Sequence, residues 1–143
     1  MSALCGGRER LAPCVDTQTE EVREMSADCI FCRIVSGEIP STKVYEDERT
    51  YAFEDINPQA PIHVLVVPKQ HVEPYPEGLS AVDADMLGAL FHAAEEVARA
   101  KVIATSGFRL IVNVGPDSGQ EVAHLHMHVL GGAPVGPLVA RRA

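Results

Sequence analysis

Apolar and polar residues alternate with two different periods along the chain, and the change of period marks out the elements. Lys43 to Glu46 and Thr50 to Glu54 are short strand-like runs joined by Asp47-Glu48-Arg49, a hairpin-like connection. Ile56 to Pro61 carries too much Pro and Asn to be regular. Ile62 to Val67 is a nearly continuous β-branched run, expected to be a central strand that Pro68 ends. After the Pro74-Tyr75-Pro76 loop the period lengthens. Met86, Leu90, Ala94 and Val97 recur at helical spacing and predict a helix to about Ala100, with Ser80 and Asp83 resembling a capping arrangement at its start. His92 falls off that stripe and is expected to be exposed. A shorter helix is predicted after Asp28, its cap, with Ile30, Phe31, Ile34 and Val35 on the apolar side and Gly37 suited to its stop. Phe108 to Asn113 and Val122 to Leu130 read as the last two strands. Five antiparallel strands and two helices make an α+β domain.

The final strand pattern contains His124-Leu125-His126-Met127-His128. Side chains at i, i+2 and i+4 of a strand share a face, so three of the six histidines line one surface while Leu125, Met127 and Val129 point to the core. A bland polar face would use Thr, Lys or Glu. Imidazole titrates near neutrality, binds metals and attacks phosphorus, which leaves either a metal-binding face or a covalent catalyst. In the preceding loop, Gly115, Pro116, Ser118 and Gly119 mark a tight turn, and Gly119 permits close backbone approach to a ligand. Backbone N–H groups there suit an anion, and Asn113 and Gln120 add neutral donors. A histidine face beside a phosphate-sized nest points to phosphoryl or nucleotidyl transfer.

Composition is consistent with such a catalyst and narrows the alternatives. A chain of 143 residues, 46% hydrophobic, suits one domain with a real core. A net charge of −8 with scattered Lys and Arg argues against nucleic-acid binding. No apolar run approaches the roughly 20 residues of a membrane span, so a soluble protein is expected. Residues 1–24 are charged and aperiodic with few large apolar residues, which predicts a disordered tail. They lack the apolar core of a secretory signal and are too acidic for a mitochondrial transit peptide, so a cytoplasmic location is expected. Met25, followed by Ser-Ala-Asp-Cys, is a plausible translation start. Cys5 and Cys14 lie in the tail, whereas Cys29-Ile30-Phe31-Cys32 has the spacing of a metal or redox pair. No strand precedes it, as a thioredoxin-like motif would require.

His124 to Leu130 matches the His-φ-His-φ-His-φ-φ signature, φ being apolar, and on this ground the chain resembles the histidine triad (HIT) family. The resemblance runs from about Asp28 to the C-terminus, through the blocks 28–40, Val44-Tyr-Glu-Asp47, Phe53 to Pro61, His63 to Lys69 and Gly119-Gln-Glu-Val122. Asp55-Ile-Asn-Pro-Gln-Ala-Pro61 together with Gly131-Gly132 is more similar to the HINT branch, the nucleoside phosphoramidate hydrolases, than to the diadenosine polyphosphate hydrolases. A HIT domain over residues 25–143 is therefore expected, dimerising into a continuous ten-stranded sheet.

The resemblance implies a purine nucleoside phosphoramidate hydrolase, acting on AMP–amine or aminoacyl-adenylate conjugates through a nucleotidyl-histidine intermediate. It implies His126 as nucleophile, His128 against the phosphoryl oxygens or leaving group, and His124 and His63 in support. Asn113, Gly119 and Gln120 would hold the phosphate with Glu121 and Val122 beside them, although some members carry a serine at position 121. Asp55 would accept the ribose hydroxyls. Phe31, Ile34, Phe53, Ile56 and Leu65 match positions that sandwich the purine, with ordinary core packing equally open for them. The zinc-bearing subset of the family implies a structural zinc on Cys29, Cys32, His71 and His124, and no organic cofactor is expected. Two other readings are a nucleotide-binding regulatory protein with little turnover, and a metallohydrolase with His63, His124 and His126 around an open zinc site. The segment after Gly132 is too rich in Pro and Gly to continue the strand. It is expected to leave the sheet and, in a dimer, to cross toward the partner's site and pack Leu138 there.

Overall fold

Alternation of side chains across the strands builds two apolar layers, one on each face of a single sheet. The computed structural model describes residues 28–140. The predicted disordered tail, the start at Met25 and the cysteines Cys5 and Cys14 lie outside the described residues. The elements are α1 (Ile30–Val35), β1 (Lys43–Glu46), β2 (Thr50–Glu54), β3 (Ile62–Pro68), α2 (Ala84–Ala100), β4 (Phe108–Val112) and β5 (Met127–Gly131). Short 3₁₀ turns occupy Leu79–Ala81 and Pro116–Ser118. The strands form one sheet in the order β1-β2-β3-β5-β4, every pair antiparallel, as the α+β reading expects. Among the described residues no helix is long and apolar enough to cross a membrane.

In β3, Val64 and Val66 join Ala52, Leu90, Val97, Met127 and Val129 in the layer under α2, while Leu65 and Val67 join Phe31, Ile34 and Phe53 under α1. Both faces of β3 are covered, so the strand reads as a continuous apolar run and not as an alternation. Each such side chain contributes about 1.5–3 kcal/mol by leaving water. The β1–β2 hairpin is tied by Asp47, whose Oδ1 accepts bonds from the Arg49 N–H and from the Thr50 N–H and hydroxyl at 2.8–2.9 Å.

Four expectations are corrected at element ends. The N-cap of α1 is Cys29 and not Asp28, its Sγ accepting the Cys32 N–H at 3.4 Å, and Ile30 is 46% exposed instead of joining the apolar side. The Ser80–Asp83 capping arrangement does not form. Residues Leu79–Ala81 make a 3₁₀ turn, and the Asp83 carboxylate takes the Arg49 guanidinium at 2.9 Å. The last strand begins at Met127 and not at Val122. Residues 122–126 lie outside the ladder, tethered by bonds such as Leu125 N–H to the Val72 carbonyl at 2.7 Å. Beyond Gly132 the chain leaves the sheet as expected, and Arg109 of β4 holds it by donating to the Gly136 and Pro137 carbonyls at 2.8 and 3.2 Å.

Candidate active site and metal centre

On the α1 side of the sheet the histidines divide into two groups with opposite hydrogen-bonding patterns. His126 is buried just before β5, and its Nδ1 lies 2.7 Å from the carbonyl oxygen of His124. A carbonyl only accepts, so the proton sits on Nδ1 and Nε2 keeps a bare lone pair. His128 and His63 face each other across β5 and β3, whose register sets Leu65 opposite His128. The backbone N–H of Gln59 donates to His63 Nδ1 at 3.0 Å, which puts the His63 proton on Nε2. That N–H points at His128 Nδ1, 2.9 Å away, with the Asp55 carboxylate at 3.4 Å. His128 Nδ1 is then an acceptor, and its own proton sits on Nε2. The two neighbouring rings thus offer complementary edges, a lone pair on His126 and an N–H on His128, with centroids 5.1 Å apart. Burial, reinforced by the charge His126 and His63 would carry if protonated, pulls the His128 pKa down to about 4. Burial also lowers that of His63, against the opposing pull of Asp55.

His124 belongs to the other group. Fully buried, it turns its ring away from His126 and His128, with Nδ1 3.2 Å from Cys29 Sγ and 3.6 Å from Cys32 Sγ. His71 brings its Nδ1 to 3.3 Å from Cys32 Sγ. These four ligand atoms all lie within 4.8 Å of one another. A tetrahedral ion with zinc–sulfur and zinc–nitrogen bonds near 2.3 and 2.05 Å requires S···N edges of about 3.5 Å, which the observed contacts bracket. Both rings have their far nitrogen committed to an oxygen. His124 Nε2 donates to the Pro68 carbonyl at 3.0 Å, and His71 Nε2 to the Glu73 carboxylate at 2.6 Å. Each Nδ1 is therefore a lone-pair donor, as metal ligation needs. The residues fit a structural Cys₂His₂ zinc site.

A second acid–histidine group, Asp55, His63 and His128, is also tightly gathered. There His63 cannot ligate through Nε2, because the Gln59 N–H already occupies Nδ1. That group is a hydrogen-bonded line and not a metal site. Nor does the structure gather His63, His124 and His126, since His124 faces the cysteines while His126 spends Nδ1 on a carbonyl. This is the geometry the metallohydrolase reading needs and does not find.

The His126–His128 pair opens into a cavity of about 1080 Å³. His63, His126 and His128 line it together with Asp55 and, from the loop before β5, Asn113, Gly119, Glu121 and Val122. Phe31, Ile34, Phe53 and Leu65 are buried in the α1 layer and form its apolar floor, so they are core and lining at once. Ile56, 92% exposed, stands at its rim and contributes nothing to the core. Gly119 has φ +85°, and no atom lies within 4 Å of where a Cβ would stand, so the backbone there is open to a ligand. Gly115, at φ +86°, is required for another reason, as a Cβ would fall 2.8 Å from the Tyr75 ring.

Two expected residues are not brought to the cavity. Gln120 braces its own loop, its Oε1 accepting from the Gly115 N–H and its Nε2 donating to the Val122 carbonyl, and His124 sits in the metal centre. Two contributors went unseen in the sequence. The Gln59 contribution is a backbone N–H, which carries no sequence signal. Glu73 had only its i,i+2 spacing from His71 to recommend it.

The fold and these histidines define a HIT protein. The HIT domain model matches residues 36–135, and the chain belongs to that family. The purine nucleoside phosphoramidase of Escherichia coli K12 is 43% identical over 118 residues, 82% of this chain and 98% of the relative. A 14 kDa zinc-binding protein of Brassica juncea is 44% identical over 111 residues, covering 73% of this chain and 93% of its own. Among solved structures, a HIT family hydrolase from Clostridium thermocellum superposes with a TM-score of 0.74 at 46% identity, covering 80% of this chain and 99% of that one. The relatives support a nucleotide hydrolase.

Proposed function

We propose that the chain hydrolyses purine nucleoside phosphoramidates, releasing AMP and an amine, with His126 as nucleophile. The observation that carries this reading is the His126 Nδ1–His124 carbonyl bond, which aims an unprotonated Nε2 into the cavity. The purine is read as lying over Phe31, Phe53 and Leu65 with Ile56 closing over it, the ribose hydroxyls on Asp55, and the phosphate against Asn113 and the open backbone at Gly119.

In the first step the His126 Nε2 lone pair forms a bond to phosphorus as the P–N bond to the amine breaks. The departing nitrogen leaves with a proton drawn from solvent on the His128 side. The His128 Nε2–H supports the phosphoryl oxygen or the leaving nitrogen, and the line from the Gln59 N–H through His63 holds that proton in place. In the second step water adds to phosphorus and the bond to His126 breaks. AMP leaves and one proton returns to solvent. A bound zinc would tie α1 to the sheet through Cys29, Cys32, His71 and His124 and takes no part in these bonds. We read the protein as a homodimer joined along β4, which pairs only with β5 within the described residues.

His126→Ala is expected to lower kcat by at least about a thousandfold while AMP affinity stays within about tenfold, because the substitution deletes the covalent step and few ground-state contacts. A steady-state assay on an adenosine phosphoramidate with AMP calorimetry checks this. Retention of more than a few per cent of the wild-type rate overturns the nucleophile assignment.

A further inference from the structure

We propose that the Cys29–Cys32–His71–His124 centre does more than hold the fold: with metal bound, it sets the reactive tautomer of His126, and His124 is the positioning residue that links the two. This rests on His126 being the nucleophile. His124 has two functional ends. Its ring offers Nδ1 to the cysteine side, and its own carbonyl accepts the His126 Nδ1–H at 2.7 Å.

The peptide carrying that carbonyl lies in residues 122–126, outside the ladder, so no sheet hydrogen bond fixes its direction. Its own Leu125 N–H donates at 2.7 Å to the carbonyl of Val72, the residue after His71, and the ring of His124 orients it further, pinned at Nε2 by the Pro68 carbonyl and at Nδ1 by the cysteine side. A second contact runs in parallel. Phe31 lies between the two cysteines in sequence and stands edge-on to both rings, 5.7 Å from His124 and 5.1 Å from His126. The grip on Cys29 and Cys32 that a metal supplies therefore also holds the aromatic wall against the catalytic imidazole. Without that grip the His124 ring has only one fixed end. With His71 also released, the neighbouring Val72 carbonyl that holds the Leu125 N–H loosens as well, the His124 carbonyl gains freedom to turn, and His126 gains access to the Nε2–H tautomer, which leaves no lone pair on Nε2 to offer phosphorus.

Zinc-loaded, zinc-depleted and zinc-reconstituted protein are compared by imidazole ¹⁵N–¹H NMR of His126, by kcat and by AMP Kd. Depletion is expected to remove the hydrogen-bonded Nδ1–H resonance and to lower kcat at least about tenfold, while AMP Kd shifts less than about threefold, a split that general unfolding does not produce. Reconstitution restores both signals along one zinc titration curve. Glu73→Gln, at an exposed carboxylate outside the cavity, is expected to move both curves to about 10–100-fold higher free zinc with unchanged end points.

A folded, zinc-free protein that keeps the resonance and its kcat overturns the inference, and leaves the proposed function standing if His126→Ala is inactive. A resonance that changes while kcat holds overturns His126 as nucleophile, and the inference with it. Should the zinc-free chain unfold, cadmium-loaded protein replaces it. The larger ion is expected to displace the resonance and alter kcat together, and identical values for zinc and cadmium overturn the proposal.

Discussion

The tautomers of the rings at the site are set by hydrogen bonds that start from backbone groups with a single possible role, a carbonyl that accepts or an N–H that donates. The Gln59 N–H fixes His63, His63 fixes His128, and the His124 carbonyl fixes His126. Burial adds to this by keeping His128 neutral down to about pH 4 and shifting His63 in the same direction. The His128 ring is therefore expected to stay neutral between pH 7.5 and 5.5, where an ordinary histidine loses most of its neutral form. An NMR titration of the His128 ring checks this, and a midpoint near 6.5 contradicts it. The same shifts act on stability with a definite sign. Between 6.5 and about 4 the unfolded chain binds protons at these positions that the fold refuses, so stability falls as pH falls through that window and is fully present above it. Melting temperatures measured from pH 7 to 5 are expected to decline.

The C-terminus of α2 shows how an element can form against a local preference. Val102 N–H bonds the Arg99 carbonyl and Ile103 N–H bonds the Ala98 carbonyl, the two bonds of a Schellman ending. That ending places Val102 at φ 60°, in the left-handed region, with 86% of the side chain exposed. A β-branched residue is strained there, so Val102→Gly is expected to stabilise the protein by about 1 kcal/mol, raising Tm by a few degrees. Thermal unfolding of the two proteins measures it. Nothing in the sequence marks this ending, since the usual glycine is missing. The bodies of the elements were legible, because the 2.0 and 3.6 periods report directly which side chains face a layer. Element ends were less so. The alternation through His124 and His126 runs ahead of the ladder, which begins only at Met127, because a side-chain period records facing and not backbone pairing. At the site the imidazoles announced themselves, being a costly choice for a solvated face. Gln120 did not declare its purpose, since an amide in a glycine-rich loop reads the same whether it faces an anion or its own backbone.

For the whole molecule, the open edge of β4 and the segment after Gly132 belong together, as Arg109 clamps that segment by its carbonyls at residues 136 and 137. Among the described residues, none from 133 to 140 lines the cavity of its own chain, and Leu138 is left exposed. If the segment serves a partner's site, truncation after Gly132 is expected to change the kcat/KM ratio between two AMP phosphoramidates with different amines by about fivefold or more, with AMP affinity nearly unchanged. An unaltered ratio, with unaltered mass by light scattering, would make the segment an inert terminus. Another consequence follows from the way β3 serves both layers. Positions 63, 65 and 67 face the cavity side and 64 and 66 the α2 core, and β5 divides its residues the same way. Chemistry and core are interleaved one residue at a time, so a single-residue insertion within either strand would exchange them wholesale, sending valines to the nucleotide and histidines into the core. Sequence drift in these strands is therefore confined to substitution. Changes of length must be absorbed by the loops, such as the chain from residue 113 to 126 that leads into β5.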